Sequence, residues 1–215
     1  MNTKGEAKSP IFEKWLSIPA FMDTTKVSTA AEQAVACMQP GGYHVPWMTL
    51  TVKNDAATVR HATELHQKYT DDFRARFPDA DVFVWLAFQP LPAYYGQFGP
   101  AQGGNVTGYT EKVTEDSQLV LLGILTKAGA DEAVRAYAEA QSRQWLADLE
   151  GWARARGTYV DWLYFNYCHG TQDPLSKVGA ENIAHIKAAM QKYDPTGFFQ
   201  TRFTGGFKMS KSSAA

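Results

Sequence analysis

Between Gln118 and Lys127 the chain reads Gln-Leu-Val-Leu-Leu-Gly-Ile-Leu-Thr-Lys. From Leu119 to Leu125 no polar side chain interrupts it. A run of this length bounded by polar residues is the signature of a buried strand. It falls far short of the roughly 20 residues that cross a bilayer. Whatever else the chain does, it must build a sheet around this segment and bury it. At 215 residues, with 45% hydrophobic and 13% aromatic residues, there is enough apolar material for one globular core. The same figures, with a net charge of -1, exclude a disordered chain. They also argue against a nucleic-acid partner, because 21 basic and 22 acidic residues leave no phosphate-attracting field.

Periodicity places the other elements around that strand. Thr29 and Glu32 have capping-box spacing ahead of a helix through Met38, which Pro40-Gly41-Gly42 should end. Tyr43 to Lys53 reads as a strand. Asn54 or Asp55 caps a helix to Phe77, with Val59, Ala62, Leu65, Tyr69, Phe73 and Phe77 on one stripe. Asp81 to Gln89 is a strand stopped by Pro90 and Pro92. A Gly/Pro/Tyr-rich loop from Ala93 to Gly104 and a short strand over Asn105 to Thr110 follow. Ala130 to Arg156 is a long helix with Val134, Tyr137, Trp145, Leu149 and Trp152 on one face, and Gly157 at its end. Tyr159 to Cys168 reads as the last long strand, and Ala180 to Tyr193 as the last helix. The order predicts an α+β sandwich with helices on one sheet face. The globular domain is expected over residues 11–208, with residues 1–10 a disordered lead and 209–215 a disordered tail.

Strand alternation then decides what the uncovered face carries. Val82, Val84, Leu86 and Phe88 share one side, and Phe83, Trp85, Ala87 and Gln89 the other. A regular last strand puts Leu163, Phe165 and Tyr167 toward the helices, and Trp162, Tyr164 and Asn166 on the far face, joined by Trp47 and Thr49. A face meant for water carries Lys, Glu and Thr. Indoles, a phenol and carboxamides mark a ligand pocket or a dimer seam instead. The alternative is a second core layer formed by the N-terminal segment from Ile11 to Phe21 folding across it.

The candidate chemistry is spare. Trp47, Trp85 and Trp162 supply shape. Gln89, Asn105 and Asn166 can hydrogen-bond a carbonyl, and Tyr164 is the best phenol donor. His44 is the acid or base suggested by residue type, although its parity is opposite to that of Trp47. Tyr94 and Tyr95 could close over the site as a lid. His169 could overhang its rim, whereas His61, His66 and His185 read as helix surface or packing residues. Asp161 reads as a strand-edge charge. Cys37 and Cys168 are two cysteines only, which make neither a disulfide framework nor a zinc cluster. Cys168 has no base near it in sequence to make it a nucleophile. No apolar leader follows Met1, so the expected location is the cytoplasm.

From Pro10 to Lys208 six motifs occur in a familiar order. They are Phe88-Gln89-Pro90-Leu91-Pro92, Gly103-Gly104-Asn105, Tyr164-Phe165-Asn166-Tyr167, and Gln172-Asp173-Pro174 with Gly179-Ala180-Glu181-Asn182. Tyr193-Asp194-Pro195-Thr196-Gly197-Phe198-Phe199-Gln200 and Gly205-Gly206-Phe207-Lys208 complete the set. In this the chain resembles the C-terminal, substrate-side half of fungal berberine-bridge-enzyme-like FAD-linked oxidoreductases. The resemblance implies a mostly antiparallel sheet with helices on one face. It also implies that Gln89, Asn105, Tyr164 and Asn166 face flavin or substrate. In that family the FAD-binding domain precedes this region, and no Gly-rich dinucleotide fingerprint follows a strand here. The expectation is therefore a free-standing copy that does not hold FAD by itself. It would be a cofactor-free cyclase or isomerase acting on a small apolar secondary-metabolite intermediate, and a homodimer through the aromatic face. The competing expectations are a non-catalytic binding or assembly subunit, partnering a separate flavoprotein, and the substrate domain of an FAD-linked oxidoreductase. Neither nucleic acid, membrane nor metal is expected as a partner.

Overall fold

The computed structural model describes residues 2–38 and 41–214. Two compact units divide at Gly41–Gly42, not at residue 10. In the first unit, α1 (Glu13–Leu16) and α2 (Ala30–Ala36) are short. The capping box forms as the spacing predicts: Thr29 Oγ1 accepts from the Glu32 N–H at 3.2 Å, and Glu32 Oε2 accepts from the Thr29 N–H at 2.7 Å. Neither helix buries a side chain. Pro40, expected to stop α2, lies outside the described residues.

The second unit holds a fully antiparallel sheet of β1 (Tyr43–His44), β2 (Met48–Lys53), β3 (Val82–Leu91), β4 (Ser117–Lys127) and β5 (Tyr159–Val160). β4 lies between β3 on one side and β1 and β2 on the other, and β5 continues beyond β2. The apolar run is thus the central strand. Leu119, Val120 and Ile124 are fully buried. The single strand expected over Tyr43–Lys53 is split between His44 and Met48. There the backbone swings toward β4, and a Cβ on Gly123 would stand 2.8 Å from the Pro46 carbonyl oxygen. Only glycine tolerates that approach. The Ile124 N–H donates to Ser142 Oγ on the overlying helix instead, at 3.0 Å.

α3 (Ala56–Arg76) and α5 (Glu132–Arg156) pack side by side on one face. Asp55 caps α3, accepting from the Thr58 N–H, and also receives Arg156 in a bidentate pair at 2.9 and 3.2 Å. Gly157, at φ +73°, ends α5. Met48, Leu50 and Val52 meet Ala62, Leu65, Tyr69, Val120, Leu122, Trp145, Leu149 and Ala153 in one cluster. The predicted parity of β2, β3 and the two helices holds, and the fold is α+β.

Of the strands expected from sequence, the one over residues 105–110 does not form and the one from Tyr159 ends after two residues. Over residues 105–110 the chain makes a turn and enters the short α4 (Tyr109–Lys112). After Val160 the backbone leaves the sheet, and residues 165–167 form a single 3₁₀ turn. Polar anchors explain the departure. Lys112 and Lys177 draw Asp161 outward, at 3.7 and 2.8 Å, and the Trp162 indole donates to the Thr107 carbonyl at 2.9 Å. α6 (Ala180–Tyr193) and α7 (Phe198–Thr201) follow. Residues 209–211, expected to be part of a disordered tail, make a 3₁₀ turn with Met209 buried. Ser212 and Ser213 then bind the Asp173 carboxylate.

Candidate functional site

The sheet face away from α3 and α5 carries the rings that alternation put there. It is also partly covered, by a second small core. Leu91, Tyr109, Val113, Leu119, Leu121, Val160 and Trp162 cluster there, with Trp47, Trp85, Tyr164 and Tyr167 packed against them. All of these residues belong to the second unit. The 105–108 turn that supports α4 lies close to the 175–178 turn. A Cβ on Gly108, at φ +74°, would meet the Val178 carbonyl oxygen at 2.5 Å.

The aromatic side chains form a continuous series. Phe83 lies 5.4 Å from Trp85 between ring centroids, and Trp85 stacks on Trp47 at 6.1 Å and 17°. Trp47 meets Tyr167 edge-on at 6.1 Å, and Tyr167 meets Tyr164 edge-on at 4.9 Å. Tyr164 lies 6.1 Å from Trp162, which meets the edge of Tyr109 at 5.1 Å. Such pairs favour offset or edge geometries, each about 0.5–1.5 kcal/mol beyond area burial. The series runs from Phe83, half exposed, to Trp162, which is buried.

Four polar groups sit along this series and are joined in pairs. The Asn166 side-chain amide donates to the Tyr164 hydroxyl at 2.8 Å. The Tyr167 hydroxyl donates to the Gln89 carbonyl oxygen at 3.4 Å. Gln89 and Asn166 are exposed. Because the Tyr164 oxygen accepts from Asn166, its own O–H remains available to a ligand. Gln89 keeps both amide hydrogens, and Asn166 keeps one. Four donor hydrogens on the Tyr164, Gln89 and Asn166 side chains are thus not used in these bonds along the aromatic wall.

Sequence reasoning missed Tyr167, because a regular strand sends it to the helix side. A 3₁₀ turn instead eclipses positions i and i+3, so Tyr164 and Tyr167 share a side. The Tyr-x-Asn-Tyr spacing carries that signal once the strand is known to end at Val160.

Other candidates sit elsewhere. His44 is on the helix side, with Nε2 3.8 Å from Glu139 Oε2 on α5, as its parity required. It does not join the wall. Thr49 is fully buried, and its hydroxyl donates to the Val120 carbonyl, so it cannot touch a ligand. Trp162 is 4% exposed and spends its N–H on Thr107, so it supports the wall rather than lining it. Asn105 closes a local turn, accepting from the Thr107 N–H and hydroxyl. Tyr94 and Tyr95 lie in a 3₁₀ segment, Ala93–Phe98, with rings 4.7 Å apart. That segment is pinned by Tyr109 to the Pro92 carbonyl and by Thr110 to the Gly96 carbonyl, which argues against a free lid.

His61 stacks on Trp152, and His66 contacts Trp145 and the Val84 carbonyl, both as packing residues. His169 bonds Thr171, and burial holds its imidazole below the ordinary value. Burial also pushes the Cys168 thiol up to about 12, which removes the thiolate a nucleophile needs. A cleft of about 810 Å³ in the first unit, beside Phe12, Trp15, Leu16 and Val27, contains none of the candidate residues.

The resemblance implies a flavin, so the fit of these residues to one matters. The wall's rings and amides suit the face of a conjugated ring system. The Gly103-Gly104 pair of the family motifs offers no place for the nucleotide part: its N–H groups are already committed, to the Pro100 carbonyl at 3.3 Å and the Gly99 carbonyl at 2.9 Å. A pyrophosphate cradle needs such groups free.

Comparison with known proteins agrees with the motif order. The chain is 37% identical over 173 residues to the FAD-dependent monooxygenase drtC of Aspergillus calidoustus, covering 80% of this chain and 32% of that protein. It is 27% identical over 201 residues to the FAD-dependent monooxygenase sdcF of Emericella nidulans, covering 94% and 41%. It is 27% identical over 200 residues to the bifunctional solanapyrone synthase of Alternaria solani, covering 92% and 37%. No family profile matches the chain, and no solved structure does. The chain thus spans between about a third and two-fifths of the length of these relatives. Motif order and similarity agree that the chain is homologous to part of the length of fungal FAD-dependent monooxygenases and oxidoreductases.

Proposed function

We propose that this chain forms the substrate wall of a small-molecule site in secondary metabolism. It takes a neutral, apolar intermediate against Trp47, Trp85, Phe83 and Tyr167. The chemistry it serves on its own is a flavin-free cyclisation or isomerisation. One observation carries the reading: Tyr164, Gln89 and Asn166, with donor hydrogens not used in the bonds that join them, lie along a continuous aromatic surface. Fixed donors stabilise charge that develops on a carbonyl oxygen without first reorganising. A ring surface that holds a flexible chain in its reactive fold removes part of the entropic barrier. Both reactions only rearrange bonds within the substrate, so no oxidant is consumed. Tyr164 donates to the carbonyl, Gln89 and Asn166 orient it, and no histidine is needed.

A second reading is favoured by the openness of the wall and by the length of the FAD-dependent relatives. In it the chain is the substrate domain of an FAD-linked oxidoreductase, or a binding subunit for a separate flavoprotein, and the partner closes the cavity. A second copy could close it equally, as a homodimer.

The test is to incubate the purified protein with conjugated polyene-enone and quinone-methide substrates, beside Tyr164→Phe. The expected result is conversion above the spontaneous rate, lowered roughly 10- to 1000-fold in the variant. Conversion that never exceeds the spontaneous rate, and appears only after a flavoprotein partner is added, would hand the function to the second reading. An absorbance spectrum showing stoichiometric flavin in the purified protein would do the same.

A further inference from the structure

β5 is too short to cover β2. Their register pairs Thr51 with Val160 and Val52 with Tyr159. Continued, it would put residue 162 opposite Thr49, but the chain has turned away by then, with the Trp162 N–H bonded to the Val160 carbonyl. The backbone N–H and C=O of Thr49 are thereby left at a bare strand edge inside the fold. Burying them unpaired would be costly, because a desolvated backbone donor and acceptor would be left without partners.

One side chain fills that place. Gln172 Oε1 accepts from the Thr49 N–H at 3.1 Å, and its Nε2 donates to the Thr49 carbonyl at 2.7 Å. The same Oε1 accepts from the His169 N–H at 3.1 Å. The carboxamide therefore acts as a strand residue that the backbone does not provide. It ties the loop bearing Tyr164, Asn166 and Tyr167 to the strand that follows Trp47. The neighbouring Asp173 secures the other end of the loop, accepting from Ser176, Ser212 and Ser213.

We propose that Gln172 is the positioning residue of the wall: by pairing with the Thr49 backbone it fixes Tyr167 against Trp47 and, with it, the donors of Asn166 and Gln89. The proposal rests on the reading of the wall as a binding surface. It acts through geometry and needs no contact between Gln172 and the ligand.

Gln172→Glu tests it with an isosteric side chain. Ionised, the carboxylate still accepts from Thr49 and His169 but turns an oxygen toward the Thr49 carbonyl, and the pair repel. Protonated, it donates there again. The charged and titratable groups around this loop include His169, Asp173, Cys168, Tyr164 and Tyr167, the Lys177–Asp161 pair with Lys112, His44 on β1, and Glu139 and Arg143 on α5. Wild type is therefore measured at each pH as the reference. Two readouts are taken, the near-ultraviolet circular dichroism of the Trp47–Trp85–Tyr167 group and the quenching of indole fluorescence by menadione, a neutral aromatic dione.

At pH 7.5 Gln172→Glu should lose much of the aromatic signal and bind menadione about tenfold more weakly, with its far-ultraviolet spectrum intact. At pH 4.5 it should recover toward wild type. Gln172→Met, which can neither donate nor accept there in a comparable way, should lose both readouts at both pH values. If either variant matches wild type at pH 7.5, or if Gln172→Glu fails to recover, the positioning role is wrong. If the aromatic signal behaves as expected but wild type does not bind menadione, Gln172 keeps its role and the binding reading of the wall fails.

Discussion

The two faces of the sheet are built from the same strands by different physics. Beneath α3 and α5 the layer is periodic and closely packed, and its largest side chains, Trp145, Tyr69 and Phe73, are almost wholly buried. Its order follows from helices whose stripes match the strand alternation. On the opposite face the layer is a chain of rings held by irregular segments, and burial falls off along it, from Trp162 to half-exposed Phe83. Here hydrogen bonds from side chain to backbone do the holding: Trp162 to Thr107, Tyr109 to Pro92, Gln172 to Thr49. The first face is made to be stable. The second keeps polar donors at a surface, which a close-packed core does not allow.

Truncating Trp145 breaks this contrast hardest. Trp145→Ala should cost about 3–5 kcal/mol in urea unfolding, since it removes the largest fully buried side chain and leaves a cavity that two helices cannot close. A loss below about 1 kcal/mol would mean that the helix face is not the stabilising one.

Trp162→Phe sharpens it. The ring remains, but the part-buried Thr107 carbonyl loses its donor, at about 0.5–1.5 kcal/mol. The near-ultraviolet signal from Tyr109 and Tyr164 should change while helix content does not. Unchanged aromatic signals would show that the indole hydrogen bond does not hold the second layer.

A further effect is confined to alkaline pH. Burial raises the Cys168 thiol from the ordinary 9.0 to about 12 in the folded chain. The fold therefore favours the neutral form, so its contribution to stability is complete below about pH 9 and is lost as pH rises toward 12. Cys168→Ala should flatten that limb of the stability profile. Under a thiol reagent at pH 8, exposed Cys37 should label first and Cys168 only on unfolding. Equal labelling rates in the native protein would mean that the loop after Tyr167 opens freely.

Much of the helix face is legible in the residues. The stripe from Ala62 to Phe73 and the alternation of β3 place these side chains without reference to anything distant. The capping box at Thr29 and Glu32 is equally local. On the second face the composition is legible and the geometry is not. Tyr159 to Cys168 alternates as a strand should, yet stops pairing after Val160. Asp161 finds Lys112 and Lys177, and Trp162 finds Thr107, partners remote in the chain. His44, expected from its residue type as an acid or base, lies instead on the helix side, because β1 pairs it with Thr126, which shares the parity of Val120, Leu122 and Ile124 in β4.

What the sequence determined by itself is the buried central strand, the helices over one face and the kind of side chain on the other. These follow from short-range periodicity and from the cost of leaving apolar surface in water. Which rings touch, which donors stay free, and that Gln172 stands in for a strand were decided only by the tertiary structure. Each depends on contacts between segments tens of residues apart, whose register no local pattern encodes.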